Sequence, residues 1–211
     1  MDVLIMGEES QEICKAFLAK GHNAYSNDLK PCSGGRPDRH IIGDMFEVFY
    51  TAFAPKLPDL VIIHLVCTYM CNSGALRLYK GGKKENGVDS ARWAKMEESA
   101  HQFKQTLNIP CDKLAMENPV MHKHAAAIIG QRQAQTIQPY EYGHPESKRT
   151  CLWLKGLPLL KPTNILPKPA GGHWNNQTPS GQNKLAPSDK RGELRAKTYP
   201  GWAKAMAEQW G

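Results

Sequence analysis

The chain has 211 residues, 41% of them hydrophobic and 22% charged, with a formal charge of +7. That length suits one substantial core and leaves two full catalytic domains cramped. No run approaches the roughly 18 consecutive apolar residues of a membrane span, and the acidic opening Met1-Asp2-Val3-Leu4-Ile5-Met6 is neither a signal nor a transit peptide.

A chain without an export signal keeps its thiols reduced, so a cytoplasmic protein is expected. Six cysteines stand at positions 14, 32, 67, 71, 111 and 151. Cys67 and Cys71 are the one close pair, and no second pair of zinc-ligand spacing joins them, so no metal is expected. Charge is unevenly spread. Residues 1–50 hold 5 basic and 8 acidic side chains, and the surplus of cations lies in the remainder. Such a surface attracts a polyanion, although an ordinary solvated basic face is an equal reading.

In chain order, Val3-Leu4-Ile5-Met6 is a β-prone run ending at Gly7, the first predicted strand. Ser10 then precedes Ile13, Cys14, Ala16, Phe17 and Leu18, which predicts a helix stopping near Gly21. His22 to Asn27 returns as a strand closing on Asp28. Strand, helix, strand and acid within one unit open a nucleotide-binding α/β fold. Lys30 to Arg39 is a loop, followed by the apolar pair Ile41-Ile42 and by Asp44. Leu60 to Val66 is nearly all apolar, which predicts a central parallel strand covered on both faces. Cys67 then stands at its C-terminal end, where open α/β sheets place their chemistry. Gly81 to Gly87 is a basic loop, and Ala91 to Leu107 carries helical apolar spacing. Lys113 to Met116 predicts a strand that Glu117-Asn118-Pro119 leaves directly. Ile137, Tyr140 and Cys151 to Leu154 mark later candidate strands. Pro162 to Gly192 predicts an irregular excursion, and Trp202 to Trp210 a closing helix begun by Pro200. The expectation is an α/β, Rossmann-like fold with a mostly parallel central sheet. Residues 1–165 form its core, and residues 166–211 add a basic excursion and a helix packed on it.

Cys67 is the first candidate for chemistry. A thiolate at a strand end can attack an electron-poor ring carbon such as C6 of a pyrimidine; a packed, inert cysteine is the competing role. Glu117 can hydrogen-bond a ring nitrogen and, when protonated, donate to it as charge develops. Asp28 suits ribose hydroxyls, and Asp44 an adenine amino group or the cap of the next helix. The turn Gly7-Glu8-Glu9-Ser10 has one glycine and two carboxylates, so it suits a zwitterionic cofactor better than a phosphate. Arg149, beside Lys148, can hold a carbonyl or phosphate with its planar fork. Tyr69, Trp153 and Trp174 can stack on a base or fill a core.

The segments Ile63-His64-Leu65-Val66-Cys67-Thr68-Tyr69 and Met116-Glu117-Asn118-Pro119-Val120 resemble the Pro-Cys and Glu-Asn-Val motifs of cytosine-C5 DNA methyltransferases. Together with Asp28 to Gly35, Gly143 to Lys148, Thr150 to Pro158 and Tyr199 to Gly211, they make the chain similar to short bacteriophage and prophage proteins of the cytosine methyltransferase-like group. The resemblance implies a methyltransferase of a bacterial host cell's cytoplasm that uses S-adenosylmethionine and acts on DNA. Cys67 would add to C6 of cytosine, Glu117 would engage N3 and the amino group, and Arg149 would help hold the pyrimidine. Gly7, Glu8, Asp28 and Asp44 would serve the cofactor. Val66 stands where that family has proline, Glu8-Glu9-Ser10 replaces its glycine-rich first motif, and little length is left for a target-recognition domain. A free pyrimidine nucleotide with another one-carbon donor is therefore a second reading, and a turnover-free phage protein binding nucleic acid or a host factor a third.

Overall fold

The computed structural model of the chain describes residues 1–181, 183–186, 188 and 191–211. Strands β1 (Asp2–Met6), β2 (Asn23–Asp28), β3 (His40–Ile42), β4 (Leu60–His64), β5 (Leu114–Pro119), β6 (Gln135–Ile137) and β7 (Thr150–Lys155) form one sheet. Their order is β3-β2-β1-β4-β5-β7-β6. The first five pair in parallel, while β7 lies between β5 and β6 and runs antiparallel to both. A seven-stranded, mostly parallel sheet in this order is the Rossmann-like fold of class I S-adenosylmethionine methyltransferases, as the sequence pattern leads one to expect.

Side chains alternate across a strand, so each central strand feeds two cores. Leu4, Met6, Val61, Ile63, Leu114 and Met116 face helices α2 (Met45–Thr51), α3 (Ser90–Leu107) and α4 (Lys123–Ile129), meeting Phe49, Phe103 and Ile129. Val3, Ile5, Leu60, Ile62 and Ala115 face α1 (Glu12–Ala19) and the closing helix, meeting Ile13, Phe17, Trp202, Met206 and Trp210. A short helix α5 (Arg191–Ala196) precedes the closing helix α6 (Pro200–Trp210), which is begun by Pro200. Burial on both faces is why the central strands read as continuous apolar runs. Among the described residues no helix is long and apolar enough to cross a membrane.

Four local expectations need correction. β4 stops at His64, so Leu65 and Val66 are loop and not strand, and Cys67 stands three residues beyond the strand end. β5 runs on through Pro119, because antiparallel pairing with β7 continues as far as Pro119 opposite Thr150; Glu117 thus lies inside a strand and not beyond it. Tyr140 sits in a 3₁₀ turn, Pro139–Glu141, whose glutamate accepts from the Gln138 N–H at 2.6 Å. Gly81 to Gly87 is folded into short 3₁₀ turns.

Candidate active site

The C-terminal ends of β4 and β5 lie side by side in register, with His64 paired to Glu117. Alternation puts both on the face of Ile62 and Ala115, toward α1 and α6. There the His64 Nδ1–H donates to Glu117 Oε2 at 2.9 Å, and each side chain is only 14% exposed. Burial alone would push the Glu117 carboxyl up, but the bond from His64, the Lys148 ammonium and the His64 charge outweigh it and hold the group below the ordinary carboxylate range. Lys148 is lowered, first by burial, against the opposing pull of Glu117 and Cys67. Its backbone is pinned by Gln138 Oε1, which accepts from the Lys148 N–H at 3.0 Å, and Asn176 clamps the neighbouring Ser147 through bonds of 3.0 and 2.9 Å. The Lys148 stem passes Tyr199 and Trp202, its Nζ 5.8 and 5.6 Å from their ring centres. Two atoms of the pair have no partner among the described residues although both are buried: His64 Nε2 and Glu117 Oε1. The Thr150 hydroxyl donates to the Lys148 carbonyl at 3.1 Å and adds a smaller pull that lowers the Glu117 carboxyl.

Cys67 opens the turn that follows β4. Its carbonyl accepts from the N–H groups of both Met70 and Cys71 at 3.0 Å, which folds the segment back on itself. Neighbouring chain fixes that turn: the Asn72 N–H donates to Val120 O at 2.7 Å, and the His122 N–H to Met70 O at 3.0 Å. Because His122 Nδ1 accepts from the Ala125 N–H at 3.2 Å, its Nε2 carries the proton that meets Tyr69 O at 2.9 Å. Val66, 72% exposed, contributes nothing to this packing, so backbone bonds set the turn in place of a proline ring. The turn brings the two thiols together. Contact with Cys71, then burial, pushes Cys67 up, while Cys71 is held down to about 5 by Cys67 and, against burial, by Ser73, the Gly74 N–H and Arg195. Cys71 Sγ lies 3.2 Å from Ser73 Oγ. Cys67 is the thiol that feels Glu117 and Lys148, and it is half-buried rather than sealed.

The β1–α1 turn departs most from what its residues led one to expect. Glu8 is 3% exposed, and its carboxyl caps α1 from within, accepting from the Ile13 N–H at 2.6 Å and the Cys14 N–H at 3.1 Å. The first-turn amides that ordinarily receive an anion are thereby occupied. Burial pushes Glu8 up from 4.5 to about 7, with His64 and the two amides opposing. A carboxyl raised in the folded state favours folding below its unfolded value, and that contribution is lost as pH rises through about 7. Between pH 5 and 8 this group should remove about 2–3 kcal/mol of stability. Urea unfolding at the two pH values should show that loss in the parent and not in Glu8→Gln.

Gln11, left-handed at φ 59° and fully buried, ties the turn to the loop after β2. Its amide donates to Arg36 O at 2.8 Å and accepts from the Arg36 N–H at 2.9 Å. Of the other expected residues, Asp28 is half-buried at the end of β2 and accepts from the Lys30 N–H at 3.0 Å. Asp44 is exposed and caps α2, accepting from the N–H groups of Phe46 and Glu47 at 2.9 and 3.2 Å. Arg149 is exposed just before β7, and the cation that faces Glu117 is its neighbour Lys148. Trp153 is core, Trp174 stacks on Tyr140 at 4.5 Å, and Tyr69 lies under Arg92 at 5.0 Å. His64 was not singled out as a site residue by its sequence; a polar residue ending an otherwise apolar strand is the signal that marks it. Among the described residues no cluster of three or more His, Cys, Asp or Glu is arranged to hold a metal ion.

No protein-family profile and no curated protein matches the chain. Among solved structures, a DNA modification methyltransferase encoded within a prophage of E. coli aligns at 12% identity with a TM-score of 0.48. The alignment covers 82% of this chain and 53% of that one, so this chain spans about half its length.

Proposed function

We propose that the protein is a pyrimidine C5-modifying transferase that methylates cytosine in DNA through a covalent cysteine adduct. The observation that supports this best is the meeting, at one rim of the sheet, of a half-buried thiol pair with an ionised Glu117 whose second oxygen is unpartnered.

In this reading the Cys67 sulfur attacks C6 of the pyrimidine as its proton passes to the Cys71 thiolate, a transfer that formation of the S–C6 bond drives, because Cys71 holds its charge more readily than Cys67. Glu117 Oε1 accepts from the exocyclic amino group and orients the ring. Lys148 steadies the charge that develops on the ring as the S–C6 bond forms. C5, now electron-rich, takes the methyl group, a base removes its proton, and Cys67 leaves. Arg149, exposed at the mouth, would hold a phosphate of the strand and not the base.

The chemistry of the β1–β2 rim fits S-adenosylmethionine, which supplies an electrophilic methyl group when bound. Glu9 and Asp28 there are acids suited to a sulfonium-bearing cofactor and ill suited to a phosphate. Asp28 would accept from the ribose hydroxyls, while the missing side chain of Gly7 admits the His64 carbonyl and not the cofactor. Glu8, sealed beneath, acts through its field alone, and Asp44 serves its helix.

The test is nucleoside analysis of DNA incubated with the protein and S-adenosylmethionine: 5-methylcytosine is expected, and its absence with DNA, oligonucleotide and mononucleotide alike defeats the proposal. Product from a mononucleotide alone would favour the nucleotide-level enzyme. Cys71→Ser should slow the reaction about 10²-fold and keep some turnover, since it removes a base and not the nucleophile; single-turnover rates give the comparison.

A further inference from the structure

Resting on that reading, we infer that His64 is a positioning residue of the reaction, the store from which Glu117 obtains the proton it gives to the pyrimidine ring. The assignment starts from geometry. His64 and Glu117 are locked in register, bonded at 2.9 Å and nearly buried, yet each keeps one buried polar atom without a partner. An unpartnered buried polar atom costs on the order of 1–3 kcal/mol. Two of them on one hydrogen-bonded pair, at the end of the strand that leads to Cys67, mark a place where a bound ring relieves the cost. A histidine kept only for packing would direct its second nitrogen to a carbonyl, as His122 does.

The chemistry requires such a store. When sulfur attacks C6, the C5–C6 π pair moves into the ring, and N3 becomes basic enough to take a proton. Glu117 rests ionised and has none to give. Its partner, at Nδ1, is the group that can load it. As the S–C6 bond forms, the Nδ1 proton passes to the carboxylate, and the carboxyl passes a proton to N3. Net, one proton leaves the His64 ring and arrives on the pyrimidine, and the carboxylate is regenerated. When Cys67 departs the path runs backward. The groups that set this balance are Glu117 on β5, Glu8 in the β1–α1 turn, Lys148 before β7, Cys67 beyond β4 and Arg195 on α5. Two acids, Glu117 and Glu8, flank the histidine.

The experiment is a single-turnover methyl-transfer series on a cytosine oligonucleotide from pH 5.5 to 9, comparing the parent with His64→Asn. Asparagine keeps an N–H toward Glu117 and cannot titrate. The variant should retain the parent's thermal midpoint and, within about threefold, its half-saturating oligonucleotide concentration. Its rate should fall about 10²-fold and lose the alkaline decline of the parent. A variant with the parent's pH profile overturns the role, as does a loss confined to substrate affinity. A second arm needs no turnover. In ¹⁵N-histidine spectra the His64 titration should move when Glu117 is replaced by Gln, and a curve that stays in place overturns the coupling. A parent that shows this coupling and yet makes no 5-methylcytosine refutes the transferase reading instead.

Discussion

Replacing Cys67 with serine is expected to abolish methyl transfer while leaving the fold intact. Serine is nearly isosteric, and the Cys67 backbone carbonyl, which accepts from the Met70 and Cys71 N–H groups, is unaffected by the change. The chemistry is not so forgiving. An alcohol is far less acidic than a thiol, so the weakly basic Cys71 thiolate beside it gives it little help, and its oxygen is a poorer nucleophile toward C6 than sulfur. The rate should fall by on the order of 10³-fold or more, the scale of losing a covalent nucleophile. An oligonucleotide carrying 5-fluorocytosine separates this from a mere defect in binding. Fluorine at C5 cannot leave as a proton, so the adduct stalls after methyl transfer. The parent should run as a protein–DNA band in a denaturing gel, Cys71→Ser should give a slower band, and Cys67→Ser none. A band that persists in Cys67→Ser and vanishes in Cys71→Ser would move the nucleophile four residues along the turn.

How far this site could be read from sequence depends on whether its contacts are local. The β4 run Leu60 to His64 announces itself, because a strand buried on both faces is apolar throughout, and its strand end is where chemistry belongs. That His64 and Glu117 meet depends on the β4–β5 register, a pairing across 53 residues that no local pattern encodes. The strand character of Glu117 to Pro119 was hidden for a related reason. Proline reads as an exit, yet at the last pair of an antiparallel ladder its missing N–H costs little. Helix α4 carries no ordinary start signal, because its cap is a histidine, seldom used in that role, while α3 has an ordinary aspartate cap in Asp89. Glu8 differs in the other direction. By sequence it is one of two carboxylates in a turn that would serve a cofactor; in the structure it is a buried cap, made possible by the left-handed Gln11 that turns the chain under it.

The same turn yields the largest expected effect on stability. Gly7 has φ of 73°, and a Cβ placed on it would lie 2.1 Å from the His64 carbonyl oxygen. Gly7→Ala therefore incurs two penalties. The left-handed backbone costs roughly 1–2 kcal/mol for a residue with a Cβ. The clash costs more, because its other party is backbone of a central strand and no rotamer can relieve it; overpacking of this kind adds roughly 1–3 kcal/mol. A destabilisation of about 2–5 kcal/mol is expected from urea unfolding, a large share of the stability of an ordinary domain. The effect should reach the chemistry as well. Relief requires the ends of β1 and β4 to part, and β4 carries His64 into its bond with Glu117 and leads within three residues to Cys67. At a temperature where Gly7→Ala is still folded, adduct formation should be slowed more than oligonucleotide binding, since the thiol and the carboxylate move relative to one another while the basic exterior does not. Normal stability with normal adduct rate would show that this close approach is looser in solution than a 2.1 Å overlap permits.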